Sequence, residues 1–452
     1  FSNDDDLDVS RLTYYALYAL QHRGQESCGI AVNNVDADGN IKMLQYKDMG
    51  LVQEVFNDFV LNELSGQAAV GHVRYGTTGA SSRESAQPLV SRYLKGSFAL
   101  AHNGNLVNVE AMREELQAQG AIFQSTNDSE IVAHLMAKER INTASTAEAM
   151  LKVMKEIKGA YSLVILTPKR LIAVRDPQGF KPMCIGKLKN SYVFASETCA
   201  LDSIGADYVR EVEPGEVVVV DKEGLHSYTE LCGQKRALCI FEYIYFARPD
   251  SVIDNMNVYH SRILAGKALA KSYPVEADLV VGVPDSGIAA AKGYAEGSGI
   301  PYGIAFHKNS YVGRTFIKPK QSQRESSVKI KLNVLSEVVK GKRVIMVDDS
   351  IVRGTTCANI IKMLKAAGAT EVHVRVSSPP FLYPCYFGTD VPSNEVLIAH
   401  SHSQEEICEM IGADSLGYME LDKLQETVGD ICYCDACFTG KYPMAIPENI
   451  IE

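Results

Sequence analysis

The stretch Val344-Ile-Met-Val-Asp-Asp-Ser-Ile-Val-Arg-Gly-Thr-Thr356 places two adjacent acids and a Gly/Thr turn at the end of an apolar run. The run reads as a fully buried parallel strand, and Ala358-Asn-Ile-Ile-Lys-Met-Leu-Lys-Ala-Ala-Gly368 beyond it has helical spacing with a Gly stop. Backbone N–H groups of Arg353, Gly354, Thr355 and Thr356 then point at a bound anion. A helix N-terminus offers unpaired donors and a positive dipole end, so a phosphate is stabilised there without a lysine. Asp348 and Asp349 fall at the strand's carboxyl end, the usual ligand crevice of an open parallel sheet. Two carboxylates in that place can hold ribose hydroxyls or a hydrated magnesium beside the phosphate. The plain alternative is an acidic turn ahead of an ordinary helix.

Working outward, 452 residues exceed what one hydrophobic core usually organises, so two domains are expected. An apolar content of 46% supports large cores. A net charge of −10, with acids and bases mixed along the chain, argues against nucleic acid as a partner, which calls for a basic stripe. No apolar run reaches the roughly eighteen residues of a membrane span, and Phe1-Ser-Asn-Asp-Asp-Asp is no signal peptide. The cytoplasm is therefore the expected compartment. Eleven cysteines, an odd number without secretory features, point to metal ligation or burial rather than a disulfide framework.

A break is expected near residues 225 to 240, where strand-like Glu216-Val-Val-Val-Val-Asp221 gives way to polar Lys222-Glu-Gly-Leu-His and Gly233-Gln-Lys-Arg. The chain before it is β-rich with helices between. After it, Asp278-Leu-Val-Val-Gly-Val-Pro284, a helix from about Ile288, the strand at 344 and Glu371-Val-His-Val-Arg-Val376 alternate as in a parallel α/β sheet.

The first half carries four polar clusters: Gln21-His-Arg-Gly-Gln-Glu26, Gly71-His-Val-Arg-Tyr-Gly-Thr-Thr-Gly79, Ala101-His-Asn-Gly-Asn-Leu106 and Thr126-Asn-Asp-Ser-Glu130. Gly beside Arg, Asn or Asp lets backbone approach a small polar ligand while a side chain fixes it. An amino acid such as glutamine needs such a set: a guanidinium for its α-carboxylate, a carboxylate for its α-ammonium, and donors for the carbonyl that becomes an oxyanion. One cluster alone is as easily a turn.

These clusters, in this order, resemble the N-terminal-nucleophile glutaminase domain of the glutamine phosphoribosyl pyrophosphate (PRPP) amidotransferases, and the acidic loop resembles the PRPP loop of type I phosphoribosyltransferases. Phe241-Glu-Tyr-Ile-Tyr-Phe-Ala-Arg-Pro-Asp-Ser251, Val283-Pro-Asp-Ser-Gly287, Lys308-Asn-Ser-Tyr-Val-Gly-Arg-Thr-Phe-Ile317 and Cys437-Phe-Thr-Gly-Lys-Tyr-Pro443 match the same family, so the likeness spans nearly the whole chain. The fold implied is α+β and α/β. A glutaminase sandwich over 1–230 is followed by a type I phosphoribosyltransferase parallel-sheet domain over 231–452, which ends in a cluster-ligand segment.

The resemblance also implies roles for individual residues. Arg74 would pair with the glutamine α-carboxylate and Asp128 with its α-ammonium. Asn103 and Gly104 would supply oxyanion donors, and Arg23 and Thr77 would line the pocket. Asp348, Asp349 and Ser286 would form the Mg2+ and ribose site, with Ser350 and Arg353 to Thr356 as the phosphate loop. Lys308, Tyr311, Arg314 and Ile317 fall in a loop that closes over PRPP and makes a route for ammonia, where exclusion of water protects both reactants. The activity implied is formation of 5-phosphoribosylamine, glutamate and pyrophosphate from PRPP, glutamine and water, the entry step of purine synthesis. Purine nucleotides are the implied inhibitors, and a homo-oligomer, dimer or tetramer, the implied assembly.

One departure concerns the nucleophile. Family members begin their mature chain with Cys followed by a Gly-rich strand, whereas Phe1-Ser-Asn aligns a few residues later. The thiol attacks the glutamine amide while the α-amine of the same residue acts as base, so internal Cys28 is no substitute and reads as a buried small residue. A terminal segment ahead of Phe1 is expected, because the glutamine-binding clusters are intact. If the protein begins at Phe1, free ammonia is expected to be its only nitrogen donor.

Cys434-Asp-Ala-Cys437 has a spacing that suits one edge of a metal cluster. The resemblance adds Cys239 and Cys385, the four thiolates of a 4Fe–4S cluster as in the iron–sulfur subgroup. A structural zinc has the same ligand set and stays open, and Cys432 leaves the register open by one ligand. His22, His72 and His102 read as loop-orienting residues. Two rival functions are a salvage phosphoribosyltransferase, which has no use for the first half, and a PRPP-sensing repressor, which needs a basic DNA-binding module.

Overall fold

A computed structural model describes residues 1–2, 6–35, 40–76, 81–309, 332–391 and 393–447. In the first half, strands β1 (Ser27–Val35), β2 (Ile41–Met49) and β3 (Ala69–Arg74) form an antiparallel sheet in the order β2-β1-β3. Strands β4 (Leu89–Tyr93), β5 (Gly96–Leu106), β6 (Gly159–Leu166) and β7 (Leu171–Arg175) join β11 (Val217–Asp221) and β12 (Gly224–Tyr228) in a six-stranded sheet, β12-β11-β7-β6-β5-β4. Between them in sequence, β8 (Cys184–Leu188), β9 (Ser191–Ala195) and β10 (Asp207–Glu211) make a third sheet, β10-β8-β9.

Alternation along the strands explains why these sheets stack, since successive side chains point to opposite faces. Phe98 and Leu100 of β5 and Val217 and Val219 of β11 meet a helical layer through Ile131, Leu135, Met150 and Val153. Ala99, Ala101 and Val220, facing the other way, pack on Ala31 and Val70 of the first sheet, while Val218 packs on Ile185 of the third. Cys28, Ile30 and Val32 of β1 are covered in turn by Leu17, Val52 and Phe56 of outer helices. The result is a helix–sheet–sheet–helix sandwich, and Cys28 is buried in it as a small residue.

A strand occupies the start of the stretch, 225 to 240, where a break is expected. Gly224–Tyr228 pairs back on β11 from Asp221↔Gly224 to Val217↔Tyr228, so the polar run Lys222-Glu-Gly-Leu-His closes a hairpin rather than a linker. An edge strand has one side in solvent and accepts polar residues that an interior strand does not.

In the second half, β13 (Leu238–Cys239) opens the chain's return, and β14 (Val252–Ile253) and β15 (Met256–Asn257) form a short hairpin. The parallel sheet has the order β16 (Leu279–Gly282), β19 (Arg343–Asp348), β20 (Glu371–Val376), β21 (Ser415–Tyr418); β17 (Phe306–Lys308) and β18 (Leu332–Val334) pair beside it. Ile345 and Val347 face the helices Val258–Ser272 and Gly287–Ser298, and Val344 and Met346 face Thr355–Ala366 and Gln404–Ile411. β19 is thus buried on both faces, as its unbroken apolar run requires. Each of its four aliphatic side chains contributes roughly 1.5–3 kcal/mol by leaving water. No helix of the described residues is long and apolar enough to cross a membrane.

The halves meet over a group of buried acids. Arg175, almost wholly buried, donates to the carbonyls of Lys181 at 2.9 Å, Val212 at 2.8 Å and Gly179 at 3.2 Å, and lies 3.9 Å from Asp254 of the second half. Burial lifts Asp176 to about 6 despite four N–H donors, and lifts Glu211, whose Oε2 has no partner among the described residues, to about 7. Both folded-state values lie above the ordinary carboxylate value of about 4, so the native chain keeps protons that the unfolded chain has released. Stability is therefore highest below about pH 4 from these groups and is lost as pH rises through 7. Unfolding free energy measured from about pH 5 to 8 is expected to decline, and Glu211→Gln to flatten the decline by roughly 2 kcal/mol. An unchanged slope in that variant counts against the assignment.

Candidate active sites

Asp348 is the last residue of β19 and Asp349 the first beyond it, both buried. Asp349 Oδ1 accepts the Ser286 hydroxyl at 2.6 Å and Oδ2 the Ser350 hydroxyl at 2.6 Å, while the Asp349 N–H donates to Asp348 Oδ1 at 2.9 Å. The strand end is pinned by N–H donation from Ser377 to Asp348 O and from Ser378 to Asp349 O. Burial, then the neighbouring Asp349 charge, raises Asp348 well above the carboxylate range. No ion pair joins either acid to a lysine or arginine among the described residues. The donor set, two carboxylates and a hydroxyl, suits a hard cation or ribose hydroxyls.

The helix expected from Ala358 starts at Thr355, because the turn itself supplies the first helical residues. Gly354 caps it at φ 77°, a left-handed conformation that glycine adopts without strain, and no side chain caps the first amides. Arg353, Thr355 and Thr356 are exposed around that end. Lys308 reaches across to Asp285, in the Val283–Gly287 segment that also brings Ser286. Tyr311, Arg314 and Ile317, and Thr77 of the first half, lie outside the described residues.

In the first half, Arg74 ends β3, buried, with its guanidinium paired to Glu26. Asn103 and Gly104 lie on β5 opposite Ser162 and Tyr161. The Asn103 Nδ2 is buried without a partner among the described residues. Gly104, at φ 150°, has no room for a side chain: a Cβ would sit 2.0 Å from the Ala160 carbonyl oxygen. Asp128 precedes the helix Ser129–Ile141; its Oδ2 accepts the Leu106 N–H at 3.0 Å, and its Oδ1 lies 3.5 Å from His102 Nδ1. Burial opposes the charge on Asp128, but His102 outweighs it and holds the carboxyl below its usual range; His102 is raised in turn, its own burial offset by Asp128.

β3 and β9 are edge strands of their sheets, and between them lies a cavity of about 160 Å3 lined by Val70, His72, Ala101, Asn103, Tyr192 and Phe194, among others. Arg23, expected in the glutamine pocket, instead directs its guanidinium at Glu197 and at Glu242 of the second half. Its partners explain the difference: a buried guanidinium between two buried carboxylates is held there. Glu26, Glu197 and Glu242 have no role assigned from the sequence, and His102, read there as a loop-orienting residue, faces Asp128. Glu26 and Glu242 sit within quoted clusters, but only folding shows what they face.

Cys239 and Cys434 are register partners where β13 pairs in parallel with β22 (Tyr433–Cys434), and Cys437 follows on the turn Ala436–Thr439. Cys385 Sγ accepts the Phe387 N–H at 3.4 Å. Burial pushes the Cys239 thiol up to about 11 and those of Cys434 and Cys437 further, and each of these also feels the charge of Cys385. Four thiols therefore converge, and binding a cation would lower them all. A single tetrahedral zinc holds its sulfurs about 3.8 Å apart. Either a zinc or a cluster could use such a set of four thiolates. Cys432 is exposed, which leaves Cys434 and Cys437 as the inward pair.

Residues 72–203 match a glutamine amidotransferase domain and residues 254–378 a phosphoribosyl transferase domain. Amidophosphoribosyltransferase of Archaeoglobus fulgidus is 50% identical over 447 residues, covering 98% of this chain and 96% of its own. The Bacillus subtilis enzyme of that name is 48% identical over 451 residues, covering 98% and 93%. Among solved structures, an allosteric regulatory enzyme of purine biosynthesis superposes with a TM-score of 0.91 at 48% identity, over 98% of this chain and 95% of that one. Glutamine PRPP amidotransferase from B. subtilis, complexed with ADP and GMP, gives 0.90 at 48% identity over 97% and 96%. Likeness of this extent covers both the sandwich and the parallel-sheet half, and the chain belongs to the amidophosphoribosyltransferase family.

Proposed function

We propose that the two sites described above divide the family's reaction between them. The chain is an amidophosphoribosyltransferase that converts PRPP, glutamine and water to 5-phosphoribosylamine, glutamate and pyrophosphate, the first step of de novo purine synthesis. The observation that carries the division of labour is the buried Asn103 Nδ2, a donor without a partner among the described residues, beside His102, which faces Asp128, in the half that lacks the phosphate loop.

In the glutaminase half, Arg74 takes the substrate α-carboxylate and Asp128 its α-ammonium. In the family the nucleophile is the thiol of a terminal Cys, and the cavity between β3 and β9 is lined by Asn103. As the thiolate adds to the amide carbon, negative charge develops on oxygen, where Asn103 Nδ2–H and the Gly104 N–H stabilise it more than they stabilise the ground state. The C–N bond then breaks as the nitrogen takes the proton that the α-amine of the same Cys accepted from the thiol, ammonia leaves, and water hydrolyses the glutamyl thioester to glutamate and the free thiol.

In the transferase half, the uncapped amides of Gly354 to Thr356 hold the 5-phosphate, and Asp348 and Asp349 the ribose hydroxyls. Magnesium, held by Asp348, Asp349 and Ser286, would neutralise the pyrophosphate as it departs. The ammonia lone pair forms the new bond to the anomeric carbon as the carbon–oxygen bond to pyrophosphate breaks, and the nitrogen gives up a proton to the departing pyrophosphate. Orientation and charge stabilisation supply most of the acceleration, since a dissociative displacement needs little covalent help. Lys308 is assigned to PRPP, as are Tyr311 and Arg314, which lie outside the described residues. A domain boundary at 230/231 is supported by β12 ending at Tyr228 and β13 beginning at Leu238.

Cys239, Cys385, Cys434 and Cys437 are assigned to a 4Fe–4S cluster, on the support of their convergence. Anaerobically purified protein is expected to carry about four irons and four sulfides per chain, and Cys434→Ser to lose them. Stoichiometric zinc instead would reverse the choice. Purine nucleotides, whose 5-phosphate suits the same helix end, are the proposed inhibitors, in line with the ADP and GMP bound to the B. subtilis relative; the proposed assembly is a homo-oligomer.

The decisive assay is pyrophosphate release from PRPP with magnesium, comparing glutamine with ammonium. Release with ammonium tests the transferase half and release with glutamine tests both; failure with both donors would overturn the assignment.

A further inference from the structure

The guanidinium of Arg23 lies between two carboxylates that are wholly shielded from solvent. Nη1 donates to Glu197 Oε1 at 2.6 Å and to Glu242 Oε2 at 2.9 Å, and Nη2 to Glu242 Oε1 at 2.9 Å. Glu197 also takes His22 Nε2 at 2.7 Å on one oxygen, and the Ser251 hydroxyl at 2.7 Å and Arg248 N–H at 2.9 Å on the other. The Lys181 ammonium stands 3.8 Å from Glu242. Two-point pairing of a planar guanidinium fixes its direction as well as its distance, so Arg23 is locked.

Arg23 adjoins the residues that hold Arg74. Gly24 lies flush on the β3 backbone, where a Cβ would be 2.5 Å from the Arg74 carbonyl carbon. The Gln21 amide donates to Gly24 O at 2.6 Å. Glu26 donates its N–H to Arg74 O at 3.0 Å, and its carboxylate takes the Arg74 guanidinium. A continuous set of contacts therefore runs from the turn Glu242–Phe246 of the transferase half to Arg74 of the glutaminase half.

We infer that Glu242 is a positioning residue for the glutamine site: through Arg23 and the Gln21–Glu26 segment it sets where the Arg74 guanidinium meets the substrate α-carboxylate. The amino-acid pocket is thus completed by a side chain from the other half of the molecule. Glu242 touches neither substrate. This inference rests on the reading of Arg74 given above.

The test uses the full chain and L-glutamate, which carries the same α-carboxylate and α-ammonium as glutamine and is not hydrolysed. Its dissociation constant is measured by calorimetry for the unaltered protein, Glu242→Gln, Glu242→Asp and Arg74→Ala, beside ammonium-dependent pyrophosphate release. Glu242→Gln is expected to weaken glutamate about tenfold while release with ammonium stays within about twofold, and Glu242→Asp, which restores the charge, to recover most of the affinity. An unchanged affinity in Glu242→Gln overturns the inference. So does a parallel loss of both readouts with a lower melting temperature, the mark of a merely structural residue. If Arg74→Ala binds glutamate as tightly as the unaltered protein, the reading of Arg74 itself fails; if Arg74→Ala loses glutamate and Glu242→Gln keeps it, the inference alone fails.

Discussion

Asp349→Asn is expected to reduce pyrophosphate release from PRPP by about a hundredfold or more, with glutamine and with ammonium alike, and to raise the melting temperature. The two effects share one cause. Asp348 and Asp349 are adjacent, buried and without an ion-pair partner among the described residues, and the Asp349 charge helps to push Asp348 upward. An amide at 349 has nearly the same shape and can still bond the Ser286 and Ser350 hydroxyls, which donate or accept as required. Folding therefore loses little, and the repulsion between two buried carboxylates disappears. Catalysis loses the second negative charge, which is what a magnesium-bound pyrophosphate and its ribose require of this strand end. Melting and steady-state assays in the same buffer separate the outcomes. A variant that melts earlier and keeps ammonium-dependent activity within tenfold would show the acids to be structural.

What could be read from sequence was what is local. β19 announced itself because a strand covered on both faces has no alternation to hide it, and the acids and Gly354 followed within the same few residues. Helix Thr355–Ala366 was placed three residues late because apolar spacing begins only where the helix meets the core, whereas its first turn faces the ligand crevice. Gly224–Tyr228 looked like a linker because an edge strand need not be apolar. Charge pairs were beyond reach for a different reason. Arg23 and Glu242 are 219 positions apart and Arg74 and Glu26 are 48 apart, so no local pattern links them; only the packing of one half on the other does. Arg23 in a Gly-rich polar cluster looked like a substrate contact, and folding gave its guanidinium to Glu242. The thiols divide in the same way: the Cys434 and Cys437 spacing is local, while Cys239 joins them through the two-residue pairing of β13 with β22.

Asn103→Ala should separate the two chemistries most cleanly, lowering glutamine-dependent product formation by about 10²–10³-fold while ammonium-dependent release stays near that of the unaltered enzyme. The side chain contributes little to folding, because its Nδ2 is buried with no partner among the described residues. Removing a donor that is already unsatisfied forfeits no protein hydrogen bond and relieves a desolvation cost. In the proposed role its value is realised when negative charge grows on the substrate oxygen, so the loss should fall on kcat with glutamine and spare the affinity for glutamate, which is assigned to Arg74 and Asp128. Gly104→Ala makes an instructive contrast. Its methyl group would collide with the Ala160 carbonyl oxygen at a backbone angle that alanine resists, so β5 and β6 would separate and both activities would fall with the melting temperature. Equal loss of both activities in Asn103→Ala would assign the residue to packing. An unaffected glutamine reaction would place the oxyanion donors elsewhere, because a buried amide that costs free energy to keep unpaired has no other evident use at that position.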